Sequence, residues 1–139
     1  MTLEVRQIGP KCMPRVFPQV RNLIASGLED TDDCTAEDAK EFLMRGDWQL
    51  YAAFNVENEI KGVYVTTINP SPTGKIAVII SAAGRSLASM EVFSQLCDKV
   101  KELGAVKIQA LAKESAARLY KHVGFKEKAR LVEMKLWVE

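Results

Sequence analysis

A single histidine, His122, is all the imidazole in this chain, and its three cysteines, Cys12, Cys34 and Cys97, share no ligand-like spacing. That scarcity argues against a zinc site, which draws several Cys, His or carboxylate ligands from short intervals. An odd number of unspaced cysteines also argues against a disulfide framework and points to free thiols in a reducing cytosol. Neither sign of charge prevails: 19 Lys and Arg stand against 18 Asp and Glu, a net charge of +1. The overall basic excess of a protein that grips nucleic acid by its phosphates is therefore missing. Long apolar runs are missing too. The longest, Ile76 to Ala83 around Ser81, is far short of the roughly 20 residues a membrane helix needs. The opening "MTLEVRQIGPK" has no apolar stretch of the kind found in a secretory signal. The run Asp30, Asp32, Cys34 with Glu41 in twelfth place hints at a calcium loop. It fails because Cys34 is a poor calcium ligand and Thr35 stands where the loop needs glycine. What is present is a globular balance of 47% apolar and 27% charged residues over 139 positions, expected to form a single domain spanning residues 1–139.

The periodicity predicts the order of elements. "LEVRQI" reads as a first strand, broken by "GPKCMP". Pro18 is suited to the first turn of a helix, with Val20, Leu23 and Ile24 on its apolar face and Gly27 closing it. Thr35 and Asp38 have the spacing of a capping box, followed by the stripe Ala39, Phe42 and Leu43 and a stop at Gly46. "WQLYAAFNV" and "IKGVYVTTIN" read as a hairpin that turns at Asn58, a residue tolerant of left-handed backbone. After the helix-forbidding "PSPTG", "KIAVII" is a buried strand. From Ser86 to Leu103, apolar residues from Leu87 through Met90, Phe93, Leu96, Cys97 and Val100 recur every three or four positions, predicting the longest helix. "AVKIQAL" is a strand. Residues 115–123 form a short helix with Ala116, Leu119, Tyr120 and Val123 in line, ended by Gly124. "FKEKARL" and "VEMKLWV" are expected to close the fold as a hairpin in which Val132, Met134, Leu136 and Val138 face one way. Antiparallel hairpins followed by a parallel crossover make a mixed α/β (α+β) sheet.

With that order in place, "ARLYKHVGF" resembles the A-x-x-L-Y-x-x-x-G-F ending of the GNAT N-acetyltransferase superfamily, through Ala116 or Ala117, Leu119, Tyr120, Gly124 and Phe125. The resemblance covers nearly the whole chain. It implies a mostly antiparallel central sheet, flanked by about four helices, whose parallel fourth and fifth strands splay apart at the cofactor site. The family's pyrophosphate loop, Q/R-x-x-G-x-G/A, aligns with Ala83, Gly84, Arg85, Ser86, Leu87 and Ala88. Ala83 replaces the Gln or Arg and Ser86 the central glycine, while Lys113 stands where the family has an asparagine. "GDWQLY", "GVYVTTI" and "AAGRSL" are also similar to GNAT-like proteins encoded by bacteriophages.

The resemblance implies acetyl-CoA as cofactor. Backbone N–H groups at the mouth of a helix favour an anion. Gly84 would let the chain approach the diphosphate, Arg85 would add a cation, and Ser86, Leu87 and Ala88 would line the turn, with Lys113 nearby. Capping by Ser86 and solvation of Arg85 is the alternative for the same residues. Ile79, Ile80 and Ser81 would run beside the pantetheine arm, a role that plain core packing of "KIAVII" rivals. Tyr120 matches the family tyrosine that hydrogen-bonds the cofactor sulfur and can act as general acid; a packed core tyrosine with its hydroxyl at the surface is the alternative. Full proton transfer from a phenol near pKa ~10 to a thiolate near ~8.5 is uphill by about 2 kcal/mol, so a hydrogen bond to the departing thiolate is the smaller demand. His122 is two residues from Tyr120, about 200° around a helix, and is expected on the surface.

The function expected is acetyl-CoA-dependent transfer of an acetyl group to an amine of a small molecule or protein, directly and without a covalent enzyme intermediate. A primary amine near pKa 10.4 must first lose its proton, at a cost of roughly 4.6 kcal/mol at pH 7. Glu57, Glu59, Asp47 and Glu133 are candidate bases through water, and Trp48 and Tyr51 either line an acceptor groove or pack in the core. The rival is an inactive GNAT-like protein that binds a partner or sits in a phage particle. No nucleic-acid, membrane or metal partner is expected. A cytoplasmic protein (host cytoplasm if phage-encoded) is, and the apolar edge "VEMKLWV" leaves a homodimer open.

Overall fold

A computed structural model describes residues 2–28, 33–84, 87, 89–112 and 114–137. Strand β1 (Glu4–Ile8) leads through a 3-10 turn, Pro10–Cys12, into helix α1 (Met13–Gly27) and helix α2 (Ala36–Arg45). Strands β2 (Trp48–Phe54), β3 (Ile60–Asn69) and β4 (Lys75–Ala83) follow, then helix α3 (Met90–Glu102), strand β5 (Ala105–Ala110) and helix α4 (Glu114–His122). The five strands form one sheet in chain order. The first three pairings are antiparallel and β4 with β5 is parallel, as expected for the mixed sheet.

Strands β2 and β3 are covered on both faces. On one side, Met13, Phe17, Val20 and Ile24 of α1 and Ala39 and Leu43 of α2 pack with Leu50, Ala52, Val63 and Val65. On the other, Val92, Phe93, Leu96 and Val100 of α3 pack with Tyr51, Ala53, Tyr64, Ala77 and Ile79. Successive strand residues point to opposite faces, so β2 and β3 are buried along continuous stretches rather than at alternate positions. At about 1.5–3 kcal/mol for each large apolar side chain fully buried, these two layers are the main favourable term in folding. Gln95 of α3 ties down the outer edge of β1: its amide donates to the Leu3 carbonyl at 2.9 Å and accepts from the Val5 N–H at 2.8 Å.

Several local expectations are met for the reasons given. Thr35 and Asp38 form a reciprocal capping box, and Gly46 ends α2 in the left-handed region at φ 82°. Asn58 takes φ 62° at the β2–β3 turn. Others need correction. Helix α1 begins at Met13, with Pro14 in its first turn and Pro18 inside it. The buried stripe at Met13 and Phe17 continues that of Val20 and Ile24, and its burial offsets the backbone bond that Pro18 cannot donate. Helix α3 begins at Met90 and not at Ser86, because the Ser89 side chain accepts from the Val92 N–H and caps it; Leu87 is buried but precedes the helix, and Met90 is exposed. In α4, Tyr120 is half-buried and Val123 buried, but Leu119 is exposed. The expected closing hairpin is not formed. Residues 126–137 contain no strand and are exposed, because alternation supplies a strand with two faces but not with a neighbour to pair with. Val138 lies outside the described residues. Among the described residues, no helix is long and apolar enough to cross a membrane.

Candidate active site

The β4–β5 ladder stops early. Its last rung joins Ile79 to Ala110. β4 continues through Ile80 to Ala83, with Ser81, Ala82 and Ala83 paired to β3, while β5 ends and the chain leaves toward α4. A stretch of β4 backbone edge is thus left without a strand on its β5 side.

A bulge sits at the same place. Val65 pairs with Ser81 and Thr66 with Ile79, so Ile80 has no partner across β3. The extra residue resets the alternation of β4. Ile79 points into the α3 layer, whereas Ile80 packs on the α1 layer, and the Ser81 hydroxyl donates to the Ile24 carbonyl of α1 at 3.3 Å. Gly27 lies directly over that hydroxyl, where a Cβ would overlap Ser81 Oγ. Of the three predicted β4 residues, Ile79 and Ser81 are buried and Ile80 half-buried. What they leave available beside β5 is backbone.

The chain leaves β4 through a tight crossing. Gly84 has φ 124°, and a Cβ there would lie 2.5 Å from both Gly62 Cα and the Lys61 carbonyl. A Cβ on Gly62 would in turn lie 2.7 Å from Leu87 Cδ2. Leu87 is buried in the α3 layer, and its carbonyl accepts a 3.0 Å hydrogen bond from the Tyr64 hydroxyl of β3. Tyr64 and Gly62 thus position the loop before α3, a role that sequence patterning does not reveal. The only signal was their place in "KGVYV", read as part of a hairpin strand. Of the other residues predicted for a pyrophosphate site, Arg85, Ser86, Ala88 and Lys113 lie outside the described residues.

Tyr120 packs against the same apolar cluster that takes in Ala82, from the open stretch of β4, and Ala110, from the last rung of the ladder. Its ring meets Phe125 at 4.9 Å, and Phe125 meets Phe93 of α3 at 5.3 Å. The Tyr120 carbonyl accepts from the N–H groups of Val123 and Phe125, ending the helix and returning Phe125 to the core. Burial raises the Tyr120 phenol above its ordinary range. Tyr64 is raised further, by burial first and then by the neighbouring Tyr120 and Cys97. Both hydroxyls therefore keep their protons at neutral pH and act as hydrogen-bond donors. Burial also raises the Cys97 thiol, which disfavours its thiolate and suits a packing role.

The remaining candidates sort by position. His122 is on the surface. Tyr51 is fully buried, so it does not line a groove, and Trp48 stacks on Phe42 at 4.5 Å. Asp47 pairs with Arg45 at 3.2 Å. Asn55, more than Lys61, holds the Glu59 carboxyl below its usual range. Glu57 and Glu133 are exposed, Glu133 on the terminal segment.

Several solved structures similar to this chain are acetyltransferases. An aminoglycoside acetyltransferase from an uncultured soil metagenomic sample, determined with sisomicin, superposes with a TM-score of 0.72 at 15% identity, over 99% of this chain and 97% of that one. The chain has the GNAT acetyltransferase fold. A ribosomal-protein-alanine N-acetyltransferase from Brucella melitensis biovar Abortus gives a TM-score of 0.73 at 12% identity, over 98% and 100% of the two chains. A predicted acetyltransferase from Clostridium acetobutylicum, determined with acetyl-CoA, gives 0.65 at 20% identity over 97% of each. No family model matches the chain, and no curated protein matches it at a significant level.

Proposed function

We propose that this GNAT-fold chain is an acetyl-CoA-dependent N-acetyltransferase. The observation that carries the proposal is the early end of the β4–β5 ladder at Ile79 and Ala110, beside a cluster that holds the protonated Tyr120. An unpaired run of strand backbone next to an apolar wall suits a flexible chain bearing amide groups, and the pantetheine arm is such a chain. The open β5-side edge of β4, which would offer backbone to the pantetheine amides, supports this fit. Ile80, Ser81, Ala82 and Ala83 would hold the arm through their backbone. Gly84, Arg85, Ser86, Leu87 and Ala88, with Lys113 nearby, would hold the diphosphate.

Acetyl-CoA, when bound, supplies an activated thioester carbonyl and a thiol leaving group. Tyr120, whose phenol burial keeps protonated, would offer its hydroxyl as a hydrogen-bond donor to the thioester sulfur, a group that leaves more readily when so stabilised. Backbone N–H groups in the open stretch of β4 are donors suited to the carbonyl oxygen as charge develops on it. The acceptor would be an amine, neutral when it reacts, with water or an exposed carboxylate available to take its proton. Desolvation raises the pKa of the half-buried Cys97 thiol and so disfavours its thiolate, which supports direct transfer over a covalent enzyme intermediate. That the sisomicin-bound relative acts on an aminoglycoside supports a polyamine-like small molecule as a first acceptor to try.

A second reading is favoured by one observation. Leu87, in the middle of the proposed diphosphate loop, is buried with its carbonyl held by Tyr64. With Ala83, Ser86 and Lys113 departing from the motif, the chain would then be a non-catalytic member of the fold that binds a partner, in line with its likeness to phage-encoded proteins. Mass spectrometry of a panel of amines incubated with acetyl-CoA and the protein separates the two. A mass gain of one acetyl group supports the enzyme, and none across protein, aminoglycoside and polyamine acceptors supports the partner-binding protein.

A further inference from the structure

Ile80 is held by neither neighbouring strand. Across β3 the register passes from Ser81 to Ile79, and on the β5 side the ladder has already ended at Ile79. At this point no ladder fixes the direction of the backbone or of the residues that follow. What holds it instead is helix α1. The Ile80 side chain packs on the α1 layer. The buried Ser81 hydroxyl donates to the Ile24 carbonyl at 3.3 Å. That carbonyl also accepts the Leu28 N–H at 3.1 Å, at the end of the helix, so both of its lone pairs are in use. Gly27 completes the joint. A Cβ there would overlap Ser81 Oγ and lie 3.0 Å from the Ala82 nitrogen and 3.1 Å from Ser81 Cβ. The last turn of α1 therefore rests directly on the open stretch of β4, with no side chain between them.

From this joint we infer that Ser81 is a positioning residue: its hydroxyl, seated against Gly27 and bonded to Ile24, fixes the direction in which the open β4 backbone from Ile80 to Ala83 presents itself to a ligand. The inference rests on the acetyl-CoA reading above and adds what the Ser81 side chain does for it. Strand side chains stand roughly perpendicular to the sheet, and this one is spent on α1. It touches no ligand along the β5 side and acts through the backbone that it aims. Backbone donors serve a reacting carbonyl only when they are aimed beforehand, which requires a support that is itself locked. The bulge supplies the need for that support, because it takes Ile80 out of the β3 ladder. Serine fits the place closely. Alanine would leave the Ile24 carbonyl short of one donor in a buried site, and any side chain at position 27 would push into Ser81 and Ala82.

Calorimetric titration of wild type and Ser81→Ala with acetyl-CoA, at a temperature where both are folded, tests it. The substitution removes one oxygen and leaves the rest of the side chain in place. The expected result is an acetyl-CoA Kd raised about 3- to 10-fold, the worth of one hydrogen bond. Adenosine 3′,5′-bisphosphate, which carries the nucleotide of CoA without its arm, is expected to bind both proteins alike. Hydrogen exchange in the free protein locates the effect, with the 80–83 amides faster in the variant and those of β2 unchanged. A lower melting temperature with acetyl-CoA affinity unchanged makes the hydroxyl a packing group only and overturns the inference. An equal loss of affinity for both ligands overturns it too, as does unchanged exchange at residues 80–83. A wild type that binds no acetyl-CoA overturns the cofactor reading and this inference with it, whereas a wild type that binds it as well as the variant does overturns the inference alone.

Discussion

The Tyr64 hydroxyl donates a buried 3.0 Å hydrogen bond to the Leu87 carbonyl, fastening the loop before α3 to the middle of the sheet. Tyr64→Phe keeps the ring and removes that donor. A buried carbonyl left without a partner costs about 1–3 kcal/mol, so urea denaturation should report a loss of that size. If the loop also holds a cofactor, the variant should bind acetyl-CoA more weakly than wild type by calorimetry.

The crossing of Gly84 over Gly62 leaves no space for a methyl group. Gly84→Ala must accept a positive φ as well as move backbone, and strain of this kind costs about 1–3 kcal/mol. Gly9→Ala, where a Cβ meets nothing, is the control and is expected to leave the melting temperature unchanged or slightly raised. Paired thermal melts check both.

Much of this architecture could be read from residue patterns, and the parts that could not share a cause. The Thr35–Asp38 capping box, the Asn58 turn and the α3 stripe are local: each signal lies within a few residues of its effect. Helix α1 was legible only from Pro18 onward, because a proline signals a break, and the burial that overrides it at Met13 and Phe17 is a tertiary fact. The bulge at Ile80 has no signature in "KIAVII", since it appears only when β3 is laid beside β4. Tyr64 looks like any strand tyrosine until Leu87 arrives from 23 residues away. Tyr120 was legible from its motif because the glycine and phenylalanine after it fix the end of the helix it sits on. The terminal segment shows the reverse error, with correct alternation but no neighbouring strand.

Tyr51 is fully buried, and its hydroxyl has no hydrogen-bond partner among the described residues. Burial first, and Glu102 second, push its phenol up to about 12. Above pH ~10 the unfolded chain releases this proton while the native state keeps it. The native state then binds more protons, so stability present below pH 10 is lost as pH rises toward 12. The expected slope from this group is roughly 1.4 kcal/mol per pH unit. Tyr51→Phe should flatten that alkaline slope and cost nothing at pH 7, because it removes a buried group with no partner. Urea melts at pH 7, 10 and 11 measure both.

Tyr120→Phe separates packing from chemistry. The ring keeps its contact with Phe125, so stability should change by less than about 1 kcal/mol. If the hydroxyl stabilises the leaving sulfur, kcat should fall at least ~10-fold with acetyl-CoA affinity nearly unchanged. Because burial holds the phenol protonated, wild-type kcat should show no loss from this group between pH 7 and 9.

The most direct test of the account is thermal unfolding with and without acetyl-CoA. At about 100 times Kd, ligand linkage adds about 2.7 kcal/mol, a rise of several degrees in Tm for a chain of this length. The account predicts that rise for wild type and its loss in Arg85→Glu, which places a carboxylate beside the proposed diphosphate site. A flat melting curve for wild type at millimolar acetyl-CoA would contradict it.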